Sequence, residues 1–319
     1  MKAFILAAGL GIRLRPLTSN IPKPLIPVLN IPSLFYTVSL LKQAGISEII
    51  CNIHHHAESI RGIVEATHLP GVQVTFSEEP VILGTGGGLK KCEKLLGDED
   101  FILVNSDIIT DIDFRALVQH HQKSGCPGTL TLYATPEAAV IGSVGVEGGQ
   151  IKDFANRRHT GLYSSLIYTG TAVLSPEIFR FMTPEHSSIV DTGFTGLIDH
   201  GGLGCYEHQG LWMDIGTMQR YWQANLDRRG VIGNLAESMR LATGLSPHAI
   251  SSEAIVSQDA EISGSVIGSG CRIGAESVIR NSVLLPGVEI KPGSVIINSV
   301  LDPYSVTVMA EEQQQEMPG

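Results

Sequence analysis

Along the first two-thirds of the chain, apolar residues recur alternately at strand and at helix spacing. A short apolar run, Lys2–Leu6, reads as a first strand and empties into a glycine-bearing loop. Ser33–Ala44 carries apolar residues at helical spacing and stops at Gly45, a natural C-cap. Glu48–Ile53 reads as a strand, Ala57–Ala66 as a helix, Val72–Phe76 as a strand and Leu89–Leu96 as a helix. Phe101–Val104 is wholly apolar, which predicts a strand buried on both faces near the middle of a sheet. Further on come a helix over Phe114–Lys123, a strand over Gly128–Ala134 and a hairpin of Ile141–Val146 with Gln150–Phe154 that turns at Gly148 and Gly149. A strand over Ser165–Leu174 follows, then helices beginning at Pro176 and Arg220, with a loop and helix over His186–Leu197. This alternation predicts an α/β domain built on a mostly parallel, Rossmann-like sheet with crossover helices, over residues 1–235.

From Ile250 the period changes. Aliphatic residues fall at Ile250, Val256 and Ile262, then Ile267, Ile273 and Ile279, then Leu284, Ile290 and Ile296, and finally Leu301, in steps of six, six and five repeated three times. The last step of each round is nearly the same: Ser263–Val266, Arg280–Val283, Ile297–Val300. A period near six with small residues at the corners predicts a parallel β-helix of three coils over residues 249–302, followed by a tail, 303–319.

Composition narrows the function. With 319 residues, 43% of them hydrophobic, the chain can bury a large core and a smaller second unit. The net charge of −10 opposes a nucleic-acid partner, which needs a basic face, but leaves room for a nucleotide, which needs only a local cationic pocket. No apolar run reaches membrane-spanning length, and Lys2 is followed by too few apolar residues for a signal peptide. Cys51, Cys92, Cys126, Cys205 and Cys271 are scattered, odd in number and without a CxxC pair, which predicts reduced thiols in a cytoplasmic protein.

The stretch Leu6–Pro24, LAAGLGIRLRPLTSNIPKP, carries the candidate chemistry. Small residues at Ala7, Ala8, Gly9 and Gly11 let backbone N–H groups close on a phosphate, and Arg13, Arg15 and Lys23 supply cations. A dinucleotide fingerprint is excluded because Leu14 stands where a third glycine belongs, and a Walker loop because Lys23 is followed by Pro24. A second glycine-rich stretch, Glu78–Leu89, predicts a mobile turn able to act as a lid. Asp107 follows the central strand, at the edge where ligands of open α/β sheets collect. Asp111 and Asp113 read as N-terminal caps of the next helix, and the run His54, His55, His56 reads as a surface loop.

GxGxR at Gly9–Arg13, with Pro22-Lys23-Pro24 downstream, resembles the signature of the sugar-1-phosphate nucleotidyltransferases, most of all the mannose-1-phosphate guanylyltransferase branch. Ile12 departs from it, where that branch often carries Thr or another small residue. The likeness extends to Leu83–Leu89, Ser165–Leu174 and Leu211–Thr217, and the C-terminal repeat resembles the left-handed hexapeptide helix found on many such enzymes. The resemblance implies that Leu6, Ala8, Gly9, Gly11, Arg13, Gly84 and Thr85 bind the nucleotide. It implies that Arg13, Lys23 and Asp107 serve catalysis and that Asp107 and Asp214 hold Mg²⁺. Gly142, Asn156, Arg157 and Thr169 are expected at the sugar phosphate. Asn156 and Arg157 stand where the family usually has Glu and Lys, so the sugar's identity stays open.

The reaction implied is attack of a sugar 1-phosphate oxygen on the α-phosphate of a nucleoside triphosphate, with release of pyrophosphate. Thymidylyl or uridylyl transfer to another hexose, heptose or amino sugar is the nearest alternative. A silent nucleotide-sugar-binding regulatory subunit is another, although it should have lost one of Arg13, Lys23, Asp107 or Asp214. The repeat lacks a catalytic histidine, which predicts an assembly role and a homo-oligomer, most simply a dimer.

Overall fold

A computed structural model describes residues 1–200 and 202–309, and the backbone alone for 228–234. Strands β1 (Lys2–Leu6), β2 (Glu48–Ile53), β3 (Gln73–Glu78) and β4 (Phe101–Asn105) lie where the apolar runs predict them. Next in chain order are β5 (Ile108–Thr110), β6 (Gly128–Ala134), β7 (Val144–Glu147), β8 (Gln150–Phe154), β9 (Leu166–Leu174), β10 (Gly204–His208) and β11 (Trp212–Asp214). Nine of them form one sheet in the order β3-β2-β1-β4-β9-β6-β10-β8-β7. β3, β2, β1 and β4 run parallel, while β9 and β8 run against their neighbours. Phe101–Val104 is buried throughout, as a strand covered on both faces must be. β5 and β11 pair separately as a two-stranded antiparallel ribbon.

Helices α1 (Ser33–Gln43), α2 (Ala57–Ala66), α3 (Gly84–Lys91), α4 (Phe114–Ser124), α5 (Met218–Leu226) and α6 (Arg228–Thr243) cover this framework. α6 has no counterpart in the sequence reading and crosses the boundary expected at residue 235. Its Leu235 and Met239 are buried in the same apolar cluster as Leu34, Val38 and Leu41 of α1, and Lys42 Nζ donates to the Ala242 carbonyl at 2.7 Å.

Three parallel sheets form the C-terminal coil. Val256, Ile273 and Ile290 are in register on one, Ile262, Ile279 and Ile296 on the second, and Ile267, Leu284 and Leu301 on the third. Their aliphatic side chains form a separate core. Gly264, Asn281 and Asn298 turn the corners at positive φ, and the serine after each extends a ladder: Ser265 Oγ accepts from Ser282 N at 3.0 Å, and Ser282 Oγ from Ser299 N at 3.1 Å. Val266, Val283 and Val300 point outward and are buried against the N-terminal α/β lobe, in the same cluster as Leu235 and Met239. Trp222 Nε1 donates to the Asn281 carbonyl at 2.7 Å across this junction.

Part of the expected tail is ordered structure. Ser305–Val308 pairs antiparallel with Ser299–Asp302, because the turn at Asp302 is closed by Tyr304 N–H (2.7 Å) and the Ser305 hydroxyl (2.6 Å) on its carboxylate. Residues 310–319 of that tail lie outside the described residues. No helix among the described residues is long and apolar enough to cross a membrane.

Candidate active site

The order β2-β1-β4 is a switch point: the chain leaves β1 to one side for β2 and returns on the other for β4. Ligands of such sheets bind beyond the carboxyl ends of these strands, and a cavity of about 230 Å³ opens there. Leu6, Ala7, Ala8 and Gly9 line one wall, Lys23 and Pro24 a second, Asn105, Ser106 and Asp107 a third, and Ile82, Gly84 and Thr85 the rim. Leu6, Ala8, Gly9, Gly84, Thr85, Lys23 and Asp107, all singled out from the sequence, thus meet at one cavity. Gly11 sits behind it in the left-handed region at φ +63°, where a Cβ would lie 2.8 Å from the Thr18 methyl.

Asn52 fixes the loop and escaped the sequence reading. It is buried at the end of β2, accepts the Ala7 N–H at 2.8 Å through Oδ1 and donates to Glu79 Oε1 at 2.7 Å. Glu79 Oε2 in turn accepts the Leu83 N–H at 2.8 Å, so one buried chain of bonds ties the first glycine loop to the second. An asparagine inside the apolar run Ile49–Ile53 was the available signal, since a buried polar side chain needs partners. His54 Nδ1 donates to the Glu79 carbonyl at 2.6 Å, so this histidine packs on the loop rather than standing free.

The second glycine stretch is not a flexible turn. Gly84–Lys91 is helical, and its glycines answer a close approach: Gly86 N donates to Ser187 O at 2.8 Å, and Ile189 N to Thr85 Oγ1 at 2.9 Å. A Cβ on Gly87 would lie 2.1 Å from the Glu185 carbonyl oxygen, and one on Gly88 2.5 Å from Glu79 Oε1.

Lys23 Nζ is bonded to Asp107 Oδ2 within the cavity, and both side chains are largely buried. Asp214 lies on the neighbouring strand of the ribbon, opposite Ile108, while Ile215 N donates to the Asp107 carbonyl at 3.1 Å. The ribbon therefore sets both aspartates at one end. Arg13 is exposed and directs Nη2 toward Gly216, 2.9 Å from where a Cβ there would sit. Arg220, which the sequence reading passed over, pairs with Asp214 at 3.1 Å and with Glu137. Asp107 lines the first cavity and Asp214 a second one, and their carboxylates are hard oxygen donors of the kind a divalent cation takes.

A second cavity of about 180 Å³ is lined by Asp214 together with Tyr133, Thr135, Glu137, Ile141, Trp212, Met213, Arg220 and Gln223. Gly142 adjoins it through Ile141. Thr169 adjoins it through its carbonyl, which accepts from Trp212 Nε1 at 3.0 Å. Thr169 and Gly170 sit in a bulge of β9 between Tyr168 and Ala172, and Gly170, at φ +82°, leaves room for the Asn105 amide. Asn156 and Arg157 line neither cavity: Asn156 Nδ2 donates to the Tyr163 hydroxyl at 2.8 Å, and Arg157 is paired with the exposed Asp191. Their turn is organised by Asp153, whose burial alone would raise its pKa. The Arg158 and Thr160 N–H groups and the Thr160 hydroxyl outweigh that cost and hold the carboxyl below its usual range.

Asp113 caps α4 as expected, accepting from Arg115 N at 2.9 Å and Ala116 N at 3.0 Å. Asp111 does not. It accepts the Leu211 N–H at 2.7 Å and contacts His208 at 3.2 Å, so it anchors the segment leading into β11 instead.

A parallel switch-point sheet with a glycine loop and a buried lysine–aspartate pair at its cavity, followed by a coil of three parallel sheets, defines an α/β protein with an appended β-helix. The chain belongs to the nucleotidyl transferase family, whose model matches residues 2–229, and a model for the GlmU-like C-terminal hexapeptide matches 237–313. It is 34% identical over 221 residues to a mannose-1-phosphate guanylyltransferase catalytic subunit beta from Danio rerio, covering 68% of this chain and 61% of that protein. It is 31% identical over 266 residues to a UTP–glucose-1-phosphate uridylyltransferase from Synechocystis, covering 76% of this chain and 66% of that protein. Less than two-thirds of either relative is thus matched. Among solved structures, a glucose-1-phosphate thymidylyltransferase candidate from Bacillus anthracis superposes with a TM-score of 0.65 at 25% identity, over 74% of this chain and 98% of that one.

Proposed function

We propose that this protein transfers a nucleotidyl group to a sugar 1-phosphate, releasing pyrophosphate, and that its substrates are GTP and mannose 1-phosphate. The observation that carries the reaction is the convergence of the glycine loop, Lys23 and Asp107 on one cavity, with Asp214 brought beside them by the ribbon. Mannose-1-phosphate guanylyltransferases among the relatives support the substrate pair. Uridylyl transfer is the second reading, favoured by the longer match to the Synechocystis protein.

Leu6, Ala8 and Gly9 would receive the nucleotide, with Gly84 and Thr85 at the base. The sugar would occupy the cavity beside Gly142 and Thr169, and Arg157 and Asn156 would reach its phosphate once Arg157 leaves Asp191. A phosphate oxygen of the sugar 1-phosphate attacks the α-phosphorus; the bond from that phosphorus to the bridging oxygen breaks, and its electron pair leaves with pyrophosphate. The attacking group is ionised at neutral pH, so no general base is required. Lys23 would hold the α-phosphate and Arg13 the β- and γ-phosphates, so positioning and charge neutralisation do most of the work. Asp107 and Asp214 would hold Mg²⁺, which supplies neutralisation of the triphosphate charge. The test is pyrophosphate release from four nucleoside triphosphates against a panel of sugar 1-phosphates. Highest kcat/KM with GTP and mannose 1-phosphate supports the reading, a preference for UTP and glucose 1-phosphate supports the second, and no release from any pair removes both.

A further inference from the structure

Asp214 has both carboxylate oxygens engaged. Oδ1 accepts the Gly216 N–H at 2.6 Å, and Oδ2 accepts from Arg220 Nη1 at 3.1 Å. The other arm of the guanidinium, Nη2, is bonded to Glu137. The arginine and Asp214 side chains are 28% and 20% exposed, against 60% for Glu137, so water screens the Glu137 contact more strongly. Arg220 stands in the first turn of α5, where no acidic residue accompanies it and where a cation opposes the helix dipole. Helix stability does not explain an arginine at this position; its bond to Asp214 does.

The charge balance points the same way. Asp107 carries Lys23 and Asp214 carries Arg220, so each carboxylate has its own fixed cation, and Arg13 approaches the same turn at Gly216. A site neutralised in this way has little attraction for a free divalent ion. A nucleoside triphosphate brings several negative charges and reverses that balance.

We propose that Arg220 is a positioning residue, an internal counter-ion that holds Asp214 in place and closed to free divalent cations, and yields it when the cation arrives on a triphosphate. Glu137 retains the guanidinium when Asp214 is taken. The inference rests on Asp214 being a metal ligand, as the proposed function has it, and it predicts that cation and nucleotide enter together.

Mn²⁺ titration of the full chain, with free Mn²⁺ read by electron paramagnetic resonance in the absence of nucleotide and sugar, tests it without turnover. Arg220→Gln and Arg220→Met should each bind Mn²⁺ about tenfold more tightly than the parent, as expected for removing one cation from a part-buried carboxylate. Arg220→Lys, which keeps the charge, should stay within about threefold of the parent, and adding Asp214→Asn to Arg220→Gln should abolish the gain. Unchanged affinity in both neutral variants, or a gain that survives Asp214→Asn, overturns the proposal. A flat titration in a protein that releases pyrophosphate would sink the counter-ion alone, whereas the predicted gain in a protein that releases none would sink the proposed reaction alone.

Discussion

At the scale of single residues, the proposed chemistry falls to a few charged groups. Asp107→Asn should lower turnover by about a hundredfold or more, the loss typical of removing a preorganised charge-stabilising group. Steady-state kinetics at saturating Mg²⁺ checks it, and near-parental turnover would remove Asp107 from the chemistry. Lys23→Met should cripple nucleotidyl transfer, while Arg157→Ala should mainly raise KM for the sugar phosphate; equal effects of the two on both KM values would contradict that division. Asp153 gives a pH signature. Its folded pKa is depressed, so its ionised form contributes stability that is full above the unfolded pKa and lost as pH falls through the folded one. The stability gap between the parent and Asp153→Asn, read by urea unfolding, should be complete above the ordinary aspartate range and shrink as pH falls below it. That Lys23, Asp107 and the glycine-loop residues would line one cavity was legible in sequence, because apolar strands and small residues frame them. Asn52 and Arg220 were not, because their partners, Glu79 and Asp214, stand far off in the chain or look independent until the fold joins them.

At the scale of elements, sequence signals that depend on local spacing translated well, and those that depend on a neighbour did not. β1, α1, β2 and α2 fall where periodicity puts them. The glycines of α3 were misread as flexibility, because a sequence does not reveal that the Glu185 and Ser187 backbone lies against them. Gly87→Ala therefore tests whether the glycines serve packing. We expect destabilisation of about 1–3 kcal/mol or more by overpacking, together with raised KM for the nucleotide, whereas a mobile loop would absorb the methyl group. In the coil, Ser282→Ala leaves the buried Ser299 N–H without its acceptor and should cost about 1–3 kcal/mol in thermal or urea unfolding. A neutral result would mean that the serine ladder does not stabilise the coil.

At the scale of the whole molecule, the six–six–five repeat was legible from Val256 onward, because each step there places one aliphatic on an inner face, whereas Ile250, the first of the series, stays exposed at the start of the coil. The outward valines were not assigned a task, since only the fold shows that the N-terminal α/β lobe covers them. Val283→Asp would bury a carboxylate at that junction and should lower the melting temperature and shift the emission of Trp222, which donates to Asn281 there. Truncation before Ala249 should destabilise the catalytic lobe without removing any residue placed in the chemistry. Light scattering on both forms tests the homodimer that the repeat suggests; a monomeric full chain, with a truncated form that melts and turns over unchanged, would leave the coil without a role.

One chain is proposed to form a sugar nucleotide from a nucleoside triphosphate and a sugar 1-phosphate at a single site. Phosphorus NMR of the protein with Mg²⁺, GTP and mannose 1-phosphate follows every phosphorus atom at once. The expected result is loss of the sugar monophosphate resonance in step with new diphosphate-ester signals and an equal amount of free pyrophosphate, all abolished in Lys23→Met. Resonances that stay unchanged, with these or any other nucleotide and sugar phosphate, or inorganic phosphate appearing in place of pyrophosphate, would contradict it.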